Sequence, residues 1–180
     1  LNLSVRKIVI SGILGAISIL LGVTRLGFIP VPTPAGHATI MHIPVILGAI
    51  LEGPVVGLIT GAIFGLFSFL QPGAPFFADP LVSILPRLFI GPVAYLVYFL
   101  TKRINIILAY ALAGAFGAAT NTVLVMTMAT WRGYLPAEVS ISIGVLHGIP
   151  ELIVAAILTV VLVKGIQRVR PVEEHNSLKK

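Results

Sequence analysis

Residues 37–70 read HATIMHIPVILGAILEGPVVGLITGAIFGLFSFL, a nearly continuous apolar run divided by Glu52, Gly53 and Pro54. A water-soluble chain of 180 residues has too little interior for runs of this kind, because its surface is large for its volume. A bilayer removes that constraint, since about 20 consecutive apolar residues cross its hydrocarbon layer as a helix. The Glu-Gly-Pro break folds the run into a helical hairpin, and His37 and His42 place polarity at its front edge. Composition agrees: 57% of residues are hydrophobic and 10% are charged, where soluble domains carry about 25% charged residues. A transmembrane barrel would show alternating segments of about ten residues, whereas these runs are long and unbroken. The expected fold class is all-α, an integral membrane bundle of six transmembrane helices. A single domain should cover residues 1–170, followed by a short polar tail, 171–180.

Six segments qualify as spans: 5–23, 39–52, 54–70, 80–101, 105–131 and 139–168. Pro54 suits the first turn of the third, where its missing N–H is not needed. Asp79-Pro80 is a start signal for the fourth, an acidic N-cap followed by proline at the first helical position. Arg6 and Lys7 before an apolar run resemble a signal sequence. With no small-residue cleavage site ahead of a soluble domain, the segment reads as the first membrane helix. Six spans put both termini on one side. That side carries Arg6, Lys7, Lys102, Arg103, Lys164, Arg168, Arg170, Lys179 and Lys180, against Arg25 and Arg132 on the other. The positive-inside rule makes both termini cytoplasmic. The net charge of +6 thus sits at span ends and in the tail, not on one face, so nucleic acid is not an expected partner. Absence of cysteine excludes disulfides and thiol chemistry.

The connections 24–38, 71–79 and 132–138 then face outward. The first, TRLGFIPVPTPAGHA, is proline-rich, a composition that favours an extended, semi-rigid loop. The second, read with Pro80 as QPGAPFFADP, mixes proline with two aromatics. Apolar residues in such loops point either to a lid over a pocket or to packing on the lipid interface.

Polar residues inside spans are costly and usually face a cavity or a partner. Arg87 lies in LVSILPRLFIGP, where Pro86 and Pro92 should free carbonyls and bend the helix. It is either an anion-binding cation or half of an ion pair with Asp79 or Glu151, or it snorkels outward. His147 and Glu151, four apart on one helix face, either line a pocket or form a structural pair. Asn121, in AATNTVLVM, can bind a ligand or another helix. His37 and His42 are five apart with no acidic cluster beside them, so no metal site is expected. His42 is the better ligand candidate, and His37 reads as a loop residue.

Small residues recur at four-residue spacing: Ser11 and Gly15 or Gly12 and Ala16 in the first helix, Gly57, Gly61 and Gly65 in the third, Ala109, Ala113 and Gly117 in the fifth. Such rows let helices approach closely in lipid. An exposed row on the first helix would be a docking surface. The chain shows no phosphate-binding loop and no nucleophile motif, so it has no visible way to use ATP or to act as an enzyme. Its inverted-repeat signal is weak, which disfavours a self-contained secondary transporter. A binding subunit that takes its energy from partners fits better.

The segments GFIPVP, ATIMHIPVILGAILEGPVVGLITGAIFGLFSFL, DPLVSILPRLFIGPVAYLVY and AGAFGAATNTVLVM are similar to those of the substrate-binding S components of energy-coupling factor (ECF) transporters. The resemblance covers nearly the whole chain and is strongest to the water-soluble vitamin type, pantothenate-like branch. It implies a multi-pass protein of a prokaryotic plasma membrane, without cofactor, that captures a vitamin from outside. It also implies three partners, a transmembrane coupling subunit and two cytoplasmic ATPases, with toppling of the S component to present the pocket inward. The resemblance places the docking face on Gly12 and Ala16 or on Ser11 and Gly15, and the lid on residues 24–38 and 71–79. It points to a pocket of His42, Arg87 and Asn121, with Thr39, Asp79 and Tyr95. Arg87 would take the carboxylate of pantothenate, and His42 and Asn121 its hydroxyls and amide. Riboflavin would need aromatic stacking surfaces, and a hydroxymethylpyrimidine or pyridoxine-type ligand would also suit a His and Asn pair. Outside this class stand a channel or facilitator, which would need a polar stripe through the whole bilayer, and a membrane enzyme built on His147 and Glu151.

Overall fold

The structure is a computed structural model and describes residues 4–30 and 37–169. Seven α-helices follow in order: α1 (Val5–Val23), α2 (Ile43–Glu52), α3 (Pro54–Leu70), α4 (Pro80–Ser83), α5 (Leu85–Thr101), α6 (Ile106–Trp131) and α7 (Ala137–Val169). A two-stranded antiparallel hairpin, β1 (Phe28–Pro30) and β2 (His37–Thr39), joins α1 to α2, and a 3-10 turn, Pro75–Ala78, precedes α4. Counting α4 and α5 together gives six helical segments. Four of them are long and apolar enough to cross a membrane: Val5–Val23, Pro80–Thr101, Ile106–Trp131 and Ala137–Arg168. The expected polar tail, 171–180, and the middle of the 24–38 loop lie outside the described residues.

Two spans differ from the sequence expectation. The second begins at Ile43, not at 39, because residues 37–39 pair with Phe28–Pro30 instead of entering the helix. At ten residues α2 rises about 15 Å, roughly half the hydrocarbon layer. It is buried on every side from Ile43 to Ile50, as befits a helix that is apolar all round. It forms the axis of the bundle instead of a lipid-facing span. The fourth span breaks at Ile84 into α4 and α5. Pro86 has no N–H to offer the carbonyl of Val82 four residues back, so the helical ladder cannot run through.

The other turns form as their residues dictate. Gly53, at φ 101°, joins α2 to α3 in a backbone conformation that a side chain would strain, and Pro54 opens α3. The Asp79 side chain caps α4 by accepting from the Leu81 N–H at 2.9 Å. Asn105 caps α6 by accepting from Ile107 and Leu108. At the Gly53 end of the bundle, Arg6 donates to Glu52 at 2.7 Å and ties α1 to the α2–α3 turn.

Small residues set the helix spacing. Gly57, Gly61 and Gly65 of α3 lie against Gly91, the Arg87 backbone and Ile84. A Cβ on Gly91 would come 2.5 Å from the Gly57 carbonyl carbon, and one on Gly65 would come 2.9 Å from the Ile84 Cα. The α3 and α5 backbones are therefore in near-direct contact. In α1 the two candidate rows separate: Ser11 and Gly15 are buried against the bundle, with Gly15 under Ile63, while Gly12 and Ala16 are exposed.

At the His42 end, Arg132 donates to Asp79 at 2.6 Å and Tyr134 donates to the same carboxylate oxygen at 3.3 Å. This latch joins the 71–79 loop to the α6–α7 turn. The Arg132 guanidinium, with the Leu81 N–H, holds the Asp79 carboxyl below its ordinary value of 3.8.

Two predictions follow from this packing. Gly91→Ala should destabilise the detergent-solubilised protein by about 1–3 kcal/mol through overpacking. Gly12→Ala, whose Cβ meets nothing within 4 Å, should melt at or above the wild-type temperature, since alanine is the better helix former. For the latch the sign is fixed by the lowered Asp79 value. Its stabilisation is fully present above pH 3.8 and is lost as pH falls through the lower folded-state value. Wild type should therefore melt above Asp79→Asn at pH 7, and the gap should close on acidification below that range.

Candidate functional site

Pro86, at the start of α5, begins the site. The Val82 carbonyl that Pro86 leaves without a helical partner accepts instead from Arg87 Nη1 at 2.7 Å. This bond folds the Arg87 side chain back towards the helix start. There the guanidinium lies between two phenyl rings, 4.8 Å from the Phe77 centroid and 5.4 Å from that of Phe64, a cation–π sandwich. Arg87 is 4% exposed, and its Nε has no hydrogen-bond partner among the described residues. The ion pair with Asp79 does not form, because Arg132 holds that carboxylate. No carboxylate among the described residues lies within 4 Å of Arg87.

Glu151 of α7, 3% exposed, lines the same cavity as Arg87. Thr39 Oγ1 donates to its Oε1 at 2.6 Å and Thr122 Oγ1 donates to its Oε2 at 2.8 Å. His42 Nδ1 stands 3.5 Å from Oε1 and His147 Nε2 stands 3.8 Å from Oε2. One carboxylate thus gathers groups from β2, the N-cap of α2, α6 and its own helix. It heads the inward row Glu151, Ala155, Thr159 and Val163, spaced by four along α7.

Between these groups lies a cavity of about 810 Å³, within the range of small-molecule sites. Its polar wall includes Arg25, Thr39, Ser68, Gln71, Arg87, Asn121, Thr122, His147 and Glu151. Its apolar wall includes Phe28, Met41, Phe64, Phe67, Phe77, Val125 and Met126. Both loops expected to form a lid contribute to it, through Arg25 and Phe28 from the first and residues 71–74 with Phe77 from the second. On the other side of the Glu151 layer the bundle is filled by Ile46, Ile50, Ile90, Ala94 and Ala113.

Of the six residues singled out from sequence, Thr39, Arg87 and Asn121 lie on the cavity wall. Asn121 Oδ1 has no partner among the described residues. His42 is fully buried one layer behind the wall, against Glu151, and is not among the lining residues. Asp79 is engaged by the latch, away from the lining. Tyr95 lies eight residues, about 12 Å, further along α5 than Arg87, stacked on Phe99 with ring centroids 6.1 Å apart. His37 sits in β2, paired with Pro30. Sequence reasoning missed Thr122, Phe64 and Gln71. The signal for Thr122 was present, since it adjoins Asn121. For Phe64 and Gln71, in and after a uniformly apolar helix, there was none.

The arrangement suits a small molecule carrying an anionic group for Arg87 and further polar groups for the rest of the polar wall. The comparisons with known proteins point the same way. A family model described as "ECF transporter, substrate-specific component" matches residues 6–163. The chain is also 31% identical over 159 residues to the pantothenic acid transporter PanT of Lactococcus lactis subsp. cremoris (strain MG1363), with 73% of this chain and 79% of that protein covered. With the match running through nearly every helix that builds the cavity, this chain belongs to the family of ECF transporter substrate-specific components.

Proposed function

We propose that this chain captures a water-soluble vitamin, pantothenate, and delivers it for ATP-driven uptake. The observation that carries the reading is Arg87: a buried guanidinium on the cavity wall, held by Val82 and two phenyl rings, with no carboxylate of the described residues within 4 Å. Such a group favours a carboxylate ligand through charge-assisted hydrogen bonds. The name of the Lactococcus relative supports the choice of vitamin.

Family membership and the apolar helices make the protein a multi-pass component of a prokaryotic plasma membrane and part of a transporter. In our reading both termini are cytoplasmic, so the cavity faces outward, with the hairpin and the 71–79 loop as its lid. Asn121 meets the ligand amide. A coupling subunit docks on the exposed Gly12 and Ala16 face of α1, and two cytoplasmic ATPases supply the energy. Riboflavin is less well served, because two of the cavity's phenyl rings are already engaged by Arg87. A pyrimidine or pyridoxine-type ligand loses one of its two expected contacts, since His42 is off the wall. Against a channel stands the apolar packing beyond the Glu151 layer, which interrupts any polar path.

Calorimetry on the purified protein should show pantothenate binding without ATP. Arg87→Ala should weaken it about 10- to 100-fold, the ~1.5–3 kcal/mol of a hydrogen bond to a charged group, with the melting temperature lowered by only a few degrees. An early-melting Arg87→Ala that still binds would make Arg87 a structural residue. In liposomes this chain alone should give no pantothenate flux, and flux without partner subunits would favour the facilitator.

A further inference from the structure

Glu151 and the two threonines that hold it line the cavity, and their hydrogen bonding bears on which ligands the site accepts. A threonine hydroxyl has a single proton to donate. Thr39 and Thr122 both spend theirs on Glu151, at 2.6 and 2.8 Å. What they turn to the cavity is therefore lone pairs. The two oxygens of Glu151 have more lone pairs than the two threonine bonds use. The flanking imidazoles of His42 and His147 stand at 3.5 and 3.8 Å, too far for strong hydrogen bonds. The cluster of Glu151, Thr39 and Thr122 therefore presents acceptors to the cavity. Both charged groups line the same cavity without pairing with each other.

We propose that Glu151, held by Thr39 and Thr122, is a specificity-determining residue that selects ligands bearing hydroxyl donors in addition to their carboxylate. The inference rests on the carboxylate-vitamin reading above and adds which further groups the ligand must carry. A buried acceptor set is left unpaired by a ligand that lacks donors, and sites of that kind reject the deficient analogue strongly. An isostere that lacks the hydroxyls would fill the same volume and leave Glu151 short of partners.

The test compares pantothenate with N-(3,3-dimethylbutanoyl)-β-alanine, which keeps the carboxylate, the amide and the branched carbon skeleton but has neither hydroxyl. Affinities are measured by calorimetry for the wild type, Glu151→Gln and Thr122→Val. The wild type should prefer pantothenate by about 100-fold or more, in line with discrimination by unpaired polar groups. In Glu151→Gln that ratio should fall at least about tenfold, because glutamine can turn its own amide donors into the cavity. In Thr122→Val, which keeps the carboxylate and the shape, the ratio should shift while the melting temperature stays near wild type. If either well-folded variant weakens both compounds in parallel and leaves the ratio unchanged, Glu151 is structural and the inference is overturned alone. If the wild type binds the two compounds equally, the inference is likewise overturned while the carboxylate reading stands. Failure of the wild type to bind either compound would overturn the vitamin reading and this inference with it.

Discussion

A backbone carbonyl that cannot reach water must find a donor within the protein. In this bundle the critical one is that of Val82. Pro86 removes its helical partner, and the Arg87 side chain replaces it. The substitution ends α4 and starts α5, and it fixes a guanidinium in a place where lipid would otherwise exclude it. Phe64 and Phe77 cover its faces, so the charge is held by a carbonyl and two ring quadrupoles instead of a carboxylate. That choice matters chemically. A guanidinium already paired with Asp79 or Glu151 would bind an anion only by breaking the pair. This one has donors to spare.

The same proline explains why the glycines of α3 lie where they do. Gly61 faces the Arg87 backbone, and Gly57 and Gly65 face Gly91 and Ile84 on either side. The close approach brings Phe64, on the next face of α3, within reach of the guanidinium. The row of small residues is therefore tied to the site as well as to the fold. Packing at this distance resists a Cβ, and any displacement of α3 would move one wall of the cavity away from the charge it covers.

Much of this was legible in the chain. Helix ends were marked by local chemistry, with Gly53-Pro54 and Asp79-Pro80 each acting within one turn. Arg87 and Asn121 stood out because polarity in an apolar run has few uses. What sequence could not supply was rotational phase. Every residue of α2 from Ile43 to Ile50 is buried, so its pattern carries no inward side, and whether His42 faces the cavity or the carboxylate behind it was undetermined. Glu151 was left open for the same reason, as its threonine partners lie 112 and 29 residues away. The start of α2 was misplaced because strand pairing between 28–30 and 37–39 is a non-local event. Tyr95 failed on simple geometry, since two helical turns carry it past the floor of the cavity.

The two ends of the bundle are built to different rules, and the difference is functional. At the Gly53 end, apolar residues of α2, α5 and α6 close the interior, and the Arg6–Glu52 pair secures the turn. At the His42 end, α2 stops short and a hairpin, a 3-10 turn and an ion-paired latch take over its half of the bundle. The shortness of α2 is what makes room for the cavity, because a full span there would fill it with side chains. The apolar floor does more than seal the bundle. Low surrounding polarisability strengthens every hydrogen bond made to Arg87 and Glu151, so a ligand satisfying both is held more firmly than the same contacts would hold it in water. A polar path through the floor would let water in and weaken that grip. An apolar floor of this kind fits the proposed division of labour, in which this chain binds while other subunits supply the energy.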